Sequence, residues 1–143
     1  MTESVLFVDD ETLILDYLRI LFAGEGVRIL FANNGAQALE IAGRERISVL
    51  VADYRLPVMN GMDLVRLVRE RSTDTVPIIM SGYSEFPALR DHVHRERIFR
   101  IIPKPWKGVE MVTAVREAIA ESRELRGRKG AEGISEHPKA CAG

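Results

Sequence analysis

Apolar residues along this chain follow two alternating rhythms. Short, almost unbroken apolar runs rich in Val and Ile occur at SVLFV (4–8), VRILFA (27–32), ISVLVA (47–52), VPIIMS (76–81) and IFRII (98–102). A strand with water on one face alternates apolar and polar residues. A run that is apolar throughout fits a strand covered on both faces, as in a parallel sheet. Between these runs the apolar positions recur at helical spacing. Ile14, Leu18, Leu21 and Phe22 mark one helix, Ala38, Leu39 and Ala42 a second, and Leu64, Val65, Leu67 and Val68 a third. Val109, Val112, Val115 and Ile119 mark a last helix over residues 107–125. The segment 84–96 carries the weakest helical pattern, with Pro87 compatible only with a first turn.

Five strands alternating with five helices predict an α/β fold: a doubly wound, five-stranded parallel sheet with helices on both faces, joined by right-handed crossovers. After Leu125 the periodicity stops. RGRKGAEGISEHPKACAG is glycine-rich and polar, so residues 1–125 are expected to form one domain and 126–143 a flexible tail or linker stub with no room for a second folded unit. Arg123, Arg126, Arg128 and Lys129 gather where the helix is expected to end, a position that favours cations.

In such sheets function collects beyond the carboxyl ends of the strands. There the order of elements places Asp9 and Asp10 after the first strand, Asp53 after the third, Ser81 at the end of the fourth and Lys104 after the fifth. Two carboxylates about 4 Å apart repel by about 4 kcal/mol at an effective dielectric near 20. Three in one pocket therefore share protons or hold a cation, and hard oxygen ligands with open positions suit Mg²⁺. Lys104 adds a point charge matched to a phosphoryl oxygen, and Ser81 a hydroxyl donor. Together these groups can stabilise a phosphoryl group in transfer, with Asp53 as the carboxylate nucleophile.

Composition narrows the setting. The chain has 143 residues, enough to bury about 70% of its unfolded surface in one core. Its single cysteine, Cys141, excludes an internal disulfide and fits a reducing cytoplasm. No apolar stretch approaches the roughly 20 residues of a membrane span. A formal net charge of −1 offers no basic footprint for nucleic acid, so neither membrane nor direct nucleic-acid binding is expected.

VLFVDDE (5–11), VADYRLPVMNGMDLV (51–65), IIMSGYS (78–84) and IIPKPW (101–106) closely resemble the signature of the receiver domain of two-component response regulators, in correct order and spacing. Within that family the chain is most similar to receivers whose lysine lies in a Lys-Pro-Trp run, here Lys104-Pro105-Trp106. The resemblance implies the flavodoxin-like strand order 2-1-3-4-5. It also implies that Asp53 accepts a phosphoryl group from a sensor histidine kinase or a phosphotransfer protein. Asp10 and Asp53 would ligate Mg²⁺ by side chain, the Arg55 backbone carbonyl would be a further ligand, and Asp9 would help through water. Ser81 and Lys104 would read the phosphoryl group, and the Lys104–Pro105 bond is a candidate cis peptide. Pro57 and Gly61 match the loop after the phosphoacceptor, where glycine permits a tight turn. Such a module is a phosphoacceptor that assists its own phosphoryl transfer and dephosphorylation rather than an enzyme. It switches binding to a downstream effector protein or domain, or to a second copy of itself, in bacterial cytoplasm.

Three departures stand out. The family usually carries Tyr or Phe three residues before the lysine, and here that position is Ile101. Ser81 replaces the commoner Thr, and Leu56 a more usual Met. Ile101 motivates an alternative, a constitutive receiver-like interaction module with a vestigial phosphorylation site. A haloacid-dehalogenase-like phosphatase also uses a strand-end Asp and Mg²⁺, but it calls for an Asp-x-Asp pattern where this chain has Asp9-Asp10-Glu11, and for a cap segment that is missing.

Overall fold

In the computed structural model, which describes residues 2–135, the apolar runs become five strands. They are β1 Ser4–Val8, β2 Arg28–Ala32, β3 Val49–Asp53, β4 Val76–Ser81 and β5 Arg100–Pro103. All pair in parallel in the order β2-β1-β3-β4-β5. The three inner strands β1, β3 and β4 are buried along their whole length, whereas the edges β2 and β5 are partly exposed. The runs free of any charge thus belong to strands with neighbours on both sides and helices on both faces, whereas each edge strand carries an arginine, Arg28 or Arg100. Burial of ISVLVA starts before the strand does: Ile47 and Ser48 are buried, but β3 begins only at Val49.

The helices are α1 Thr12–Leu21, α2 Gly35–Arg44, α3 Gly61–Arg71, α4 Phe86–Arg95 and α5 Gly108–Ser135. Side chains alternate across each strand, so the sheet divides the core into two layers. Val5, Phe7, Val51, Ile78 and Met80 pack on Leu18 and Phe22 of α1 and on Met111 and Val115 of α5. Leu6, Val8, Leu50, Ala52 and Ile79 pack on Ile41 of α2, Met62 and Val65 of α3, and Leu89 of α4. Helix starts are set locally. Asn34 Oδ1 accepts from Gln37 N at 2.7 Å, and Asn60 Oδ1 accepts from Asp63 N at 2.8 Å while the Asp63 carboxylate accepts from Asn60 N at 3.3 Å. Pro87 occupies the first turn of α4, just after a short 3₁₀ turn over Tyr83–Glu85.

The last helix departs from expectation. The sequence pattern ends it near Leu125, with a flexible tail from 126, but α5 spans 28 residues and its helical backbone runs to Ser135. Residues 126–135 are therefore helix rather than tail, and 136–143 lie outside the described residues. An apolar stripe is needed only where a helix covers the sheet, and this extension is held at its root by charge. Arg123 Nε and Arg126 Nη2 donate to Glu3 Oε2 at 3.0 and 2.6 Å. Those two arginines, expected merely to favour a helix end, instead tie α5 to the chain just before β1. Among the described residues no helix is long and apolar enough to cross a membrane.

Candidate functional site

At the carboxyl edge of the sheet, β1 delivers Asp9 and Asp10 and β3 ends on Asp53. Asp9 and Asp53 are buried, at 0% and 5% exposure, and Asp10 is exposed. The two buried carboxylates are held alike. Asp9 Oδ1 accepts from Glu11 N at 2.9 Å, and Asp53 Oδ1 accepts from Arg55 N at 3.2 Å. Each thus anchors one oxygen on the amide two residues ahead, leaving Oδ2 free to face the cleft. Lys104, carried beyond β5, fills that space. Its Nζ lies 2.8 Å from Asp53 Oδ2, 3.3 Å from Asp9 Oδ2 and 3.6 Å from Glu11 Oε1.

The charges oppose one another. Burial pushes the Asp53 carboxyl up, Asp10 pushes it further, and Lys104 pulls it back without cancelling the rise. Burial likewise raises Asp9, with Asp53 adding to it against the Glu11 amide and Lys104. For Lys104 burial works against the cation, yet Asp53 and Asp9 together hold it above its ordinary value. The net result is an acidic pocket still short of positive charge.

One carboxylate oxygen from each of Asp9, Asp10 and Asp53 lies within 4.8 Å of the others. Mg²⁺ holds oxygens at about 2.1 Å, so two on opposite sides of the ion are about 4.2 Å apart. The trio is close to that size, the donors are all hard oxygens, and exposed Asp10 leaves room for water. The chemistry of the donor set fits a small divalent cation.

Ser81 ends β4 fully buried, but its hydroxyl is committed elsewhere, donating to Glu85 Oε1 at 2.8 Å with Gly82 O at 3.0 Å. The Arg55 side chain pairs with Glu85 Oε2. The structure therefore brings together Asp9, Asp10, Asp53 and Lys104, while Ser81 and Arg55 meet at Glu85. Glu85 was not singled out from the sequence. The residue is only 8% exposed, and its carboxylate stays charged below its usual range because Arg55, Ser81 and the Gly82 amide outweigh the effect of burial. A Ser-x-x-x-Glu spacing at a helix start is the one sequence signal that could have marked it.

The surrounding loops fit their roles. Lys104–Pro105 is cis. Trp106 stacks on Tyr17 of α1 at 5.7 Å. Gly61 is required for space rather than for a left-handed backbone: a Cβ there would meet the Asp53 carbonyl oxygen at 2.5 Å, while its N–H donates to Tyr54 O at 2.8 Å. In the same loop Val58, fully exposed, adopts φ 72°, a conformation a β-branched residue rarely takes. Ile101 is half-buried against the α2–α3–α4 core layer and supplies neither ring nor hydroxyl.

Residues 5–116 match the response regulator receiver domain family. The chain belongs to that family. It is 34% identical over 124 residues to the hydrogenase transcriptional regulatory protein HoxA of Cupriavidus necator, covering 87% of this chain and 25% of that protein. It is 32% identical over 91 residues to sporulation initiation phosphotransferase F of Bacillus subtilis, covering 64% of this chain and 73% of that protein. The chain thus spans about a quarter of HoxA and most of the smaller relative. Its fold is also that of a CheY-like response regulator receiver domain protein from Methanospirillum hungatei, with a TM-score of 0.80 at 22% identity over 87% of this chain and 99% of that one. Receiver domains are the phosphoacceptors of two-component signalling rather than classical enzymes, and they generally bind Mg²⁺ at an acidic Asp cluster. The expected parallel fold and its strand order are borne out.

Proposed function

We propose that Asp53 is the phosphoacceptor of this receiver and that the Asp9–Asp10–Asp53 cluster is its Mg²⁺ site. The observation that carries the reading is the convergence of three carboxylates, one ligand oxygen each within 4.8 Å, two of which, on Asp9 and Asp53, also hold Lys104. Asp10 and Asp53 would ligate by side chain, Arg55 through its backbone carbonyl and Asp9 through water. The bound ion supplies positive charge to the phosphoryl oxygens and lowers the mutual repulsion of the carboxylates. Asp53 Oδ2 attacks the phosphorus of a phosphohistidine, the P–N bond breaks, and the electron pair leaves on the donor imidazole. Lys104 already points its ammonium at the attacking oxygen and at Asp9, so it passes to a phosphoryl oxygen without relocating far. Ser81 then supplies a hydroxyl to a second phosphoryl oxygen. The same groups would assist hydrolysis of the acyl phosphate.

The donor is a sensor histidine kinase or phosphotransfer protein. Leu13, Tyr17 and Ile20 share one exposed face of α1, and Tyr17 stacks on Trp106 beside Lys104. That supports docking of an apolar helical surface next to the acceptor, and it supports a likeness to receivers whose lysine lies in a Lys-Pro-Trp run. The phosphoryl group adds about −1.5 to −2 charge. This shifts an existing equilibrium of the β4–α4–β5 surface toward binding an effector or a second copy of the chain. Incubation with a small phosphodonor and Mg²⁺ tests the reading: a labile gain of one phosphoryl group is expected, absent in Asp53→Asn. Undiminished labelling of that variant refutes Asp53 as acceptor. Ile101 favours the second reading, a constitutive interaction module, which predicts that a phosphoryl analogue leaves partner affinity and oligomeric state unchanged.

A further inference from the structure

Glu85 has no part in the reading above, yet it holds two of the groups nearest the acceptor loop. Its Oε1 takes the Ser81 hydroxyl at 2.8 Å and the Gly82 amide at 3.0 Å, and its Oε2 takes the Arg55 guanidinium. It is also the residue on which α4 begins. Ser81 ends the strand whose Met80 lies opposite Asp53, and Arg55 follows Asp53 by two residues. Both donors therefore stand within one loop of the acceptor and are turned to a different anion. A hydroxyl has one proton and donates it to one acceptor at a time. A phosphoryl group on Asp53 brings three acceptor oxygens and nearly two charges to the same neighbourhood.

We infer that Glu85 is a positioning residue of the phosphorylation cycle, withholding Ser81 and Arg55 from the Asp53 phosphoryl position until that group arrives and draws them away. This rests on Asp53 being the acceptor. Loss of the Ser81 and Arg55 contacts frees the Glu85 carboxylate at the root of α4. The exchange thereby connects the chemistry to α4 without an aromatic residue at position 101.

The test is a titration with beryllofluoride, a phosphoryl analogue, in Mg²⁺, read from Trp106. That residue is the only tryptophan in the chain, and it lines one pocket with Lys104, Glu11 and Tyr17. Glu85→Ala removes the charged competing acceptor, leaving only the weaker Gly82 carbonyl at 3.0 Å, and is expected to bind the analogue about tenfold more tightly. Glu85→Gln keeps an acceptor for Ser81 and Gly82 but loses the charge facing Arg55, so its gain is smaller. Its retained cap lets it carry the comparison if Glu85→Ala folds poorly. In a Ser81→Ala background the gain from Glu85→Ala shrinks, because the hydroxyl being withheld is gone. A purely structural role would weaken binding equally in both backgrounds. Unchanged affinity in both Glu85 variants, or a gain undiminished without Ser81, overturns the inference and leaves the assignment of Asp53 standing. Absence of any response in the wild-type protein overturns that assignment, and this inference with it.

Discussion

Lys104 Nζ sits 2.8 Å from Asp53 Oδ2 and 3.3 Å from Asp9 Oδ2, bridging two buried carboxylates delivered by different strands. The ammonium is the cation that lets them coexist when no metal is bound. Burial first, and repulsion from a neighbouring aspartate second, keep both buried carboxyls raised, and the ammonium does not fully offset them.

Replacing Lys104 by methionine should expose this dependence. Removing one partner from a largely buried ion pair leaves the other uncompensated, and a loss of about 3 kcal/mol in stability is expected at neutral pH without Mg²⁺. Millimolar Mg²⁺ should close most of the gap, since it supplies the missing charge to the same oxygens. Urea denaturation with and without the ion measures both. A variant as stable as wild type without Mg²⁺, or one indifferent to it, contradicts the arrangement.

The pH dependence of metal binding follows from the same carboxyls. Asp9 and Asp53 are raised above the ordinary 3.8, so their protonated forms favour the metal-free folded state most strongly below that value. That contribution fades as pH rises through the raised values. Protons compete with Mg²⁺ over the same range. The increase in melting temperature caused by Mg²⁺ should therefore be small in acid and grow toward neutral pH. A shift constant from acid to neutral would mean that these two carboxylates are not in the site.

Much of this site was legible in the sequence because strand order alone carries side chains to the edge of a parallel sheet. Asp9, Asp10, Asp53 and Lys104 required only that SVLFV, ISVLVA, VPIIMS and IFRII lie side by side in one parallel sheet. Ser81 was placed correctly at the end of β4, but its hydroxyl direction was not legible, since that depends on Glu85. Glu85 in turn carries no apolar or motif signal in GYSEF, and its partners Ser81, Gly82 and Arg55 meet it only in the folded loops. The end of α5 was missed for a related reason: apolar periodicity reports where a helix touches the sheet and is silent once the helix leaves it. Gly61 was recognised, but as a conformational need. Its closeness to the Asp53 carbonyl is a packing requirement between residues of different elements.

That packing makes Gly61→Ala a sensitive probe. The added methyl would sit 2.5 Å from the Asp53 carbonyl oxygen and 3.2 Å from Ile79 Cδ1. Neither neighbour yields easily, because Asp53 is bound into β3 and the Gly61 N–H is tied to Tyr54 O. Overpacking here is expected to cost about 2–3 kcal/mol. It should also weaken binding of a phosphoryl analogue, since the backbone of Asp53, the proposed acceptor, is displaced. Denaturation paired with an analogue titration checks both, and an alanine variant with normal stability and affinity would show that the loop relaxes at little cost.

At the opposite edge of the sheet, Glu3 offers a prediction free of the phosphorylation chemistry. It is 4% exposed, accepts from Ser48 Oγ at 2.7 Å and takes both Arg123 and Arg126 from α5. Burial alone would raise its carboxyl above 4.5, but Ser48, Arg126 and Arg123 together lower it. A carboxyl depressed in the folded state favours folding at all pH values above its unfolded 4.5, and that contribution is lost as pH falls through the folded value. Glu3→Gln should therefore cost about 2 kcal/mol at neutral pH, typical of hydrogen bonds to a charged group. The difference from wild type should vanish in acid, where Glu3 is protonated anyway. Amide exchange should quicken in α5 around Arg123 and Arg126, where the tether is lost, and stay unchanged near Met111, which is held by the core. A stability gap that persists undiminished into acid would place the effect in packing rather than in the charge on Glu3.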